Sequence, residues 1–274
     1  MTTISYTEFL PRNHPRSEHR VSQTHSDLVA ERFGAAAHAY VDSTVHARGA
    51  DLEALEALVA RLKPARALDL GCGGGHVAYL MAAHAHAVTA CDISEQMLAA
   101  VRANAAARGI ANITTVPAAA QAMPFADGGF DFLACRFSAH HWSDFEGGLR
   151  EARRVLRTGA TAAFIDVYAP GSALLDTYLQ TLELLRDGSH VRNHNAGEWL
   201  AALERSGFRA PALRTWRLRM EFSSWLARTH TSDLHAQAIA SLQAAAPSEV
   251  RRHFAVEADG SFQLDVLGIE TTAA

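Results

Sequence analysis

Ala67-Leu68-Asp69-Leu70-Gly71-Cys72-Gly73-Gly74-Gly75-His76 is the stretch that decides the fold. A short apolar run ends beside an acid, a glycine loop follows, and a helical pattern starts near His76. Strand, tight turn and helix in that order build a cleft at the strand's carboxyl end. Glycines in the turn lack Cβ, so the backbone can take positive φ and approach a ligand closely.

The chain outward from this unit repeats the pattern. Leu52, Leu55, Leu58, Val59 and Leu62 fall on one face of a helix over 51–62, which Pro64 ends. Strand one is 65–70, with its helix over 76–85. Strand two is 87–91, ending at Asp92, and its helix runs from about Ser94 to Arg108 with Gly109 as the stop. Strands follow at 113–116, 130–135 and 161–167, with a helix over 145–156 between the last two. After Pro170 come a helix carrying Leu174, Leu175, Tyr178, Leu182 and Leu185, and then a polar loop, His190-Val191-Arg192-Asn193-His194. Asn195 and Glu198 have capping-box spacing ahead of a further helix. A strand over 212–222, a helix over 234–242 and a last strand over 262–269 complete the reading. Alternating strands and helices predict an α/β fold: a mainly parallel central sheet with helices on both faces, binding its ligand where strand order reverses.

Length and composition set bounds. The 274 residues suit one domain. Residues 1–25 read as a flexible leader without the apolar core of a signal peptide, and 26–274 as a single domain. A hydrophobic share of 49% and a charged share of 20% fit a soluble globular chain. The net charge of -4 gives no footprint for nucleic acid. No apolar run reaches membrane-spanning length, so membrane insertion is not expected. Cys72, Cys91 and Cys135 form no CxxC pair, and no HExxH spacing occurs among the histidines, so no metal site is expected. A reducing cytoplasm fits. Oligomeric state leaves no signal in the sequence.

The dinucleotide fingerprint GxGxxG fails here, because Gly71 and Gly73 are followed by His76 in the third position. The loop reads Asp69-x-Gly71-x-Gly73-x-Gly75 instead, which resembles motif I of class I S-adenosylmethionine (SAM)-dependent methyltransferases. The resemblance continues in order through Asp92 at the end of strand two. Next come Ala122-Met123-Pro124-Phe125-Ala126-Asp127 and Phe130-Asp131-Phe132, and then the run from Leu149-Arg150-Glu151 to Thr158-Gly159. These are similar to the UbiE-like group. The segments 33–49, 189–200 and 222–225 resemble its YafE-like bacterial branch.

That resemblance implies a Rossmann-like methyltransferase fold and methyl transfer from SAM to a small-molecule acceptor, leaving S-adenosylhomocysteine. It implies that Gly71, Gly73 and Gly75 pass under the cofactor. It gives Asp69 the methionine amino end and Asp92 the ribose hydroxyls, and it places Tyr40, Ile93, Met97 and Cys135 beside them. Asp92 also has capping-box spacing to Glu95, although Ser94 can cap that helix instead. Ala119, Ala120 and Gln121 stand where the group holds adenine, with Ala119 in place of the usual Asp. The resemblance makes 26–50 a lid, with Phe33, Tyr40 and His46 on it, and makes 170–260 the elements that cover the substrate.

Methyl transfer is an in-line displacement that needs alignment, exclusion of water and, for a protonated nucleophile, a base. The end of strand four, Cys135-Arg136-Phe137-Ser138-Ala139-His140-His141-Trp142, is where the family puts substrate-facing residues. His141 is the first candidate base and His140 the second, against the plainer role of hydrogen-bonded structural histidines. Arg136 either anchors an anionic or carbonyl-bearing substrate or pairs with an acid on a neighbouring helix. His190, Arg192 and His194 read as a solvated loop. Two other functions compete: a nicotinamide-dependent reductase using Asp92 on the ribose, and a SAM-binding partner protein without catalysis. A recognisable Tyr-xxx-Lys pair is missing for the reductase, since Lys63 is the sole lysine.

Overall fold

The computed structural model describes residues 23–35 and 49–274. Tyr40, His46 and most of the leader lie outside the described residues. The strands are β1 (Arg66–Leu70), β2 (Ala87–Asp92), β3 (Ile113–Pro117), β4 (Phe130–Arg136), β5 (Leu156–Val167), β6 (Phe208–Met220) and β7 (Phe262–Ala273). Among the described residues they form one seven-stranded sheet in the order β3-β2-β1-β4-β5-β7-β6. Neighbours from β3 through β5 are parallel, while β7 runs antiparallel to both β5 and β6. The chain winds outward from β1 in one direction to β3, then returns to β4 on its other side. The β1/β4 boundary is therefore the topological switch point, where ligands bind in such sheets.

Helices cover both faces. They are α1 (His25–Ala35), α2 (Ala50–Leu62), α3 (His76–Ala82), α4 (Glu95–Ala107), α5 (Phe145–Val155), α6 (Ala173–Arg186), α7 (Ala196–Arg205), α8 (Phe222–Ala227), α9 (Asp233–Ala244) and α10 (Ser248–His253). The period-2 alternation of side chains along the strands sorts the core into two faces. Leu68, Leu70, Leu133 and Phe164 pack with Leu149 and Val155 of α5 and Trp199 of α7. Ala67, Phe132, Ala134 and Ile165 pack with α2, α3 and α4 through Leu55, Val59, Met81 and Leu98. Full burial of each large apolar side chain stabilises by about 1.5–3 kcal/mol. A third cluster joins α6, α8, α9 and α10 to the ends of β6 and β7 through Leu182, Trp225, Phe254 and Leu264.

Local chemistry explains most boundaries. Ser94 caps α4 by accepting from the Met97 N–H at 3.3 Å, so Asp92 is not that cap. Asn195 and Glu198 form the reciprocal capping box of α7. Several expectations need correction. β5 begins at Leu156, not Thr161, because Leu156 pairs with Phe130 and the register then jumps to Thr161 opposite Phe132. Residues 157–160 bulge out between these pairings, and Gly159 takes a φ of 81° there. β6 starts four residues earlier than expected and β7 ends four later, since each supplies the other's antiparallel ladder. The short α8 and α10 went unread because six residues are too few to show a helical period.

Candidate active site

The glycine loop is braced at both ends. Gly71 and Cys72 donate their N–H groups to the Cys91 carbonyl at 2.8 and 3.0 Å, and Gly73 donates to Asp92 Oδ2 at 2.8 Å. Gly71 has a φ of 71°, and a Cβ there would lie 1.9 Å from Ser138 Oγ. Gly73, with φ of 48°, has no protein atom within 4 Å of where its Cβ would be. One glycine thus admits β4's continuation against the loop, while the next leaves the cleft floor bare for a ligand.

Above this floor is a cleft of about 1030 Å³. It brings together Asp69, Gly71, Gly73, Asp92, Ile93, Ala119, Ala120, Gln121, Arg136 and His141 from the sequence reading. His25, Ser26, Val29 and Phe33 of α1 close it from the N-terminal side. Gly75, Met97 and Cys135 do not line it. Gly75 is needed for packing, because a Cβ would press on Tyr79 and Val101 at 2.9 Å. Met97 is fully buried under α4, and Cys135 is buried in the β4 core.

Two buried carboxyls dominate its electrostatics. Asp69 is 1% exposed, and its Oδ2 has no partner. Burial, then the nearby charge of Asp92, lifts its carboxyl to about 8 despite the Ala78 N–H. Asp92 is also raised by burial, while the N–H groups of Ser94 and Gly73 pull the other way. Ser94 donates to Asp92 Oδ1 at 2.9 Å. Asp92 therefore braces the loop, and each oxygen keeps a second lone pair for a hydroxyl. Arg136 takes up the second of its two expected roles, pairing with an acid on a neighbouring helix. Its Nε donates to Asp51 Oδ2 of α2 at 2.6 Å, with both side chains buried.

The two histidines face different ways. His141 Nδ1 lies 3.0 Å from the Ser189 carbonyl, which only accepts, so Nδ1 carries the proton and Nε2 is the lone-pair nitrogen. The Phe33 ring meets His141 edge-on at 4.8 Å. Burial first, and the charge of His140 second, push His141 down to about 3. His140 Nδ1 is 2.6 Å from Asp166 Oδ1. Burial opposes its charge, but the Asp166 carboxylate and its hydrogen bond hold His140 above the usual imidazole value.

His140 opens onto a second cavity of about 610 Å³, which shares Phe33, Phe137 and His141 with the cleft. Its far wall comes from α6, α8, β6 and the loop after α6. That loop corrects an expectation: it is drawn into the core at His190 and Asn193, with Arg192 and His194 partly buried and Val191 exposed. Ser189 is fully buried, and His190 and Asn193 are 6% and 1% exposed. The His140 carbonyl accepts from Val191 and Arg192 at 2.9 and 3.2 Å and draws the loop inward. Asp166 and Asn193 were missed. For Asp166 the signal was present: a lone acid ending the apolar run Phe164-Ile165 of a strand. Among the described residues no group of three or more His, Cys, Asp or Glu is placed to hold a metal ion. No helix among them is long and apolar enough to cross a membrane.

Fold and cleft define a class I SAM-dependent methyltransferase, and comparison with known proteins agrees. The methyltransferase domain family matches residues 68–164. The uncharacterized protein YafE of Escherichia coli is 41% identical over 204 residues, covering 74% of this chain and 99% of YafE. The uncharacterized methyltransferase YcgJ of Bacillus subtilis is 32% identical over 225 residues, covering 82% of this chain and 88% of YcgJ. The crystal structure of YcgJ superposes with a TM-score of 0.74 at 29% identity, over 80% of this chain and 98% of that one. The chain belongs to this methyltransferase family.

Proposed function

We propose that the chain transfers a methyl group from SAM to a small-molecule acceptor held in the cavity beside His140. The observation that carries this reading is the pair of cavities meeting at Phe33, Phe137 and His141, one floored by the glycine loop and the other faced by a His–Asp pair. The residues present fit SAM. The unpartnered Asp69 Oδ2 suits an ammonium group, the open space over Gly73 suits close approach of the ligand, and Asp92 retains lone pairs for ribose hydroxyls. Ala119 and Ala120 offer adenine an apolar wall, with Gln121 as the polar neighbour. When bound, SAM supplies a methyl group made electrophilic by its sulfonium.

The chain's own contribution is alignment and proton transfer. Phe33 and α1 exclude water from the junction of the two cavities. Asp166 fixes the His140 ring with its proton on Nδ1, leaving the Nε2 lone pair to accept the proton of the attacking group. The proton ends on His140, the methyl group on the acceptor, and the bond broken is the methyl–sulfur bond. We infer that His140, not His141, is the base. A site held down to about 3 binds a proton too weakly, whereas Asp166 raises the basicity of His140.

Incubating the protein with metabolite pools and methyl-labelled SAM should give one product that gains one methyl group. His140→Asn should lower turnover about 10²- to 10⁴-fold while calorimetric SAM affinity persists. Absence of SAM and S-adenosylhomocysteine binding would sink the reading. Unchanged turnover in His140→Asn would remove the base assignment alone.

A further inference from the structure

We propose that Asn193 reads the methyl acceptor, and that this acceptor is a compact, uncharged molecule presenting a hydrogen-bond donor and acceptor side by side. A lactam edge, or a hydroxyl next to a carbonyl, has that pattern. The proposal rests on the reading of the cavity beside His140 as the acceptor site.

Asn193 lines that cavity and is 1% exposed, yet neither Oδ1 nor Nδ2 of its side chain has a partner among the described residues. A buried amide with both ends unsatisfied is rare, because its desolvation goes unreturned. Its backbone is the opposite case. Gln180 Nε2 donates to the Asn193 carbonyl at 2.8 Å, and Gln180 Oε1 accepts from the Asn193 N–H at 3.0 Å. The same Oε1 is 2.9 Å from His190 Nε2. Gln180 thus clamps the loop while leaving the Asn193 amide unspent. Because both ends of that amide are free, the complementary ligand edge is the same whichever way the amide is turned.

The charged groups around the cavity are already engaged. Glu183 pairs with Arg186 at 3.0 Å, Asp187 with Arg32 at 3.5 Å, and Asp166 with His140 at 2.6 Å. Arg228 donates to the Met220 sulfur at 3.4 Å. A cationic ligand would have to compete with one of these pairs, and an anionic one would have to draw Arg228 from the Met220 sulfur. Walls of Phe33, Phe137, Leu218, Leu264 and Trp225 suit a flat apolar body. The Trp225 indole N–H is also unpartnered and buried, a further donor for an oxygen or ring nitrogen on the ligand.

The test uses the full chain saturated with S-adenosylhomocysteine and four probes: 2-pyridone, phenol, benzoate and benzylamine, followed by saturation-transfer NMR titration. The expected order puts 2-pyridone first. Asn193→Leu, close in shape but without donor or acceptor, should weaken 2-pyridone about tenfold or more and leave phenol and S-adenosylhomocysteine affinities unchanged. Asn193→Asp keeps the acceptor but loses the donor, and it should also weaken 2-pyridone. This second variant decides the outcome if Asn193→Leu loses S-adenosylhomocysteine binding. No preference for 2-pyridone over the other probes, or equal 2-pyridone affinity in the variants and the wild type, overturns the proposal. Failure of the wild type to bind S-adenosylhomocysteine would instead overturn the methyl-transfer reading.

Discussion

Asp69 should make cofactor binding a proton-releasing event. Its carboxyl stands at about 8 in the ligand-free protein, against an ordinary 3.8. At pH 7 a group with that pKa is about nine-tenths protonated. An ammonium group placed against the unpartnered Oδ2 favours the ionised form, so binding must expel nearly one proton. Each pH unit below the pKa lowers the ionised fraction about tenfold, so affinity should rise about tenfold from pH 6 to pH 7. The ligand's amino group contributes little there, because an α-amino group stays mostly protonated until about pH 7.7. Calorimetric titration of SAM in buffers of different ionisation enthalpy reads both effects. Asp69→Asn should bind more weakly, without proton release or pH slope. Affinity that is level across this range, with no buffer-dependent heat in the wild type, would refute the reasoning.

The same shift has a consequence for stability. Folding raises the Asp69 pKa, so the native state holds the proton between about 4 and 8 where the unfolded chain has lost it. The penalty is absent below the unfolded value, grows as pH rises through this window, and is complete above the folded value. Asp69→Asn should therefore melt at a higher temperature than the wild type at pH 8, ligand-free, even though it binds the cofactor less well. A destabilised site of this kind trades stability for function.

Other perturbations follow from the geometry. Arg136→Met should leave Asp51 buried and unpaired and lower unfolding free energy by about 3–5 kcal/mol; Asp51→Leu combined with it should recover most of that in urea denaturation. In imidazole NMR, His140 should titrate above 6.5 and fall in Asp166→Asn, whereas His141 should remain neutral with its proton on Nδ1 until about pH 3. Gly71→Ala forces a side chain into φ of 71° and against Ser138 Oγ, so it should cost about 1–3 kcal/mol, read by thermal melting, and weaken SAM binding as well.

The cofactor half of the molecule was legible because its signals are local. Strand, glycine turn and helix lie within a few residues of one another, and Ser94, Gly109 and the Asn195–Glu198 pair mark helix ends through contacts spanning three or four positions. Arg136 shows where locality stops. Its partner Asp51 is 85 positions away, on a helix whose apolar face said nothing of the acid beside it. The loop 190–194 was misread for a related reason. Its composition is that of a solvated turn, and its burial comes from groups outside it: the His140 carbonyl and Gln180 on α6. Polar residues enter a core only when such partners exist, and partners are a property of the fold.

His140 is where the two halves become one machine. Its ring and its own N–H both bond Asp166, at 2.6 and 3.2 Å, which ties it to the end of β5. Its carbonyl accepts from Val191 and Arg192, next to Asn193 in sequence. The proposed base and the proposed acceptor-reading amide are thus held together by hydrogen bonds between two stretches of backbone. His141, the next residue, sends its imidazole N–H to Ser189 on the same loop and turns its remaining face to the cofactor cleft. A displacement of this loop would move Asn193 and distort the base together, so acceptor recognition and proton transfer should fail as a unit. Gln180→Ala, which touches neither cavity but releases the loop clamp, should lower turnover and acceptor affinity while SAM affinity holds, and steady-state kinetics beside calorimetry would decide it.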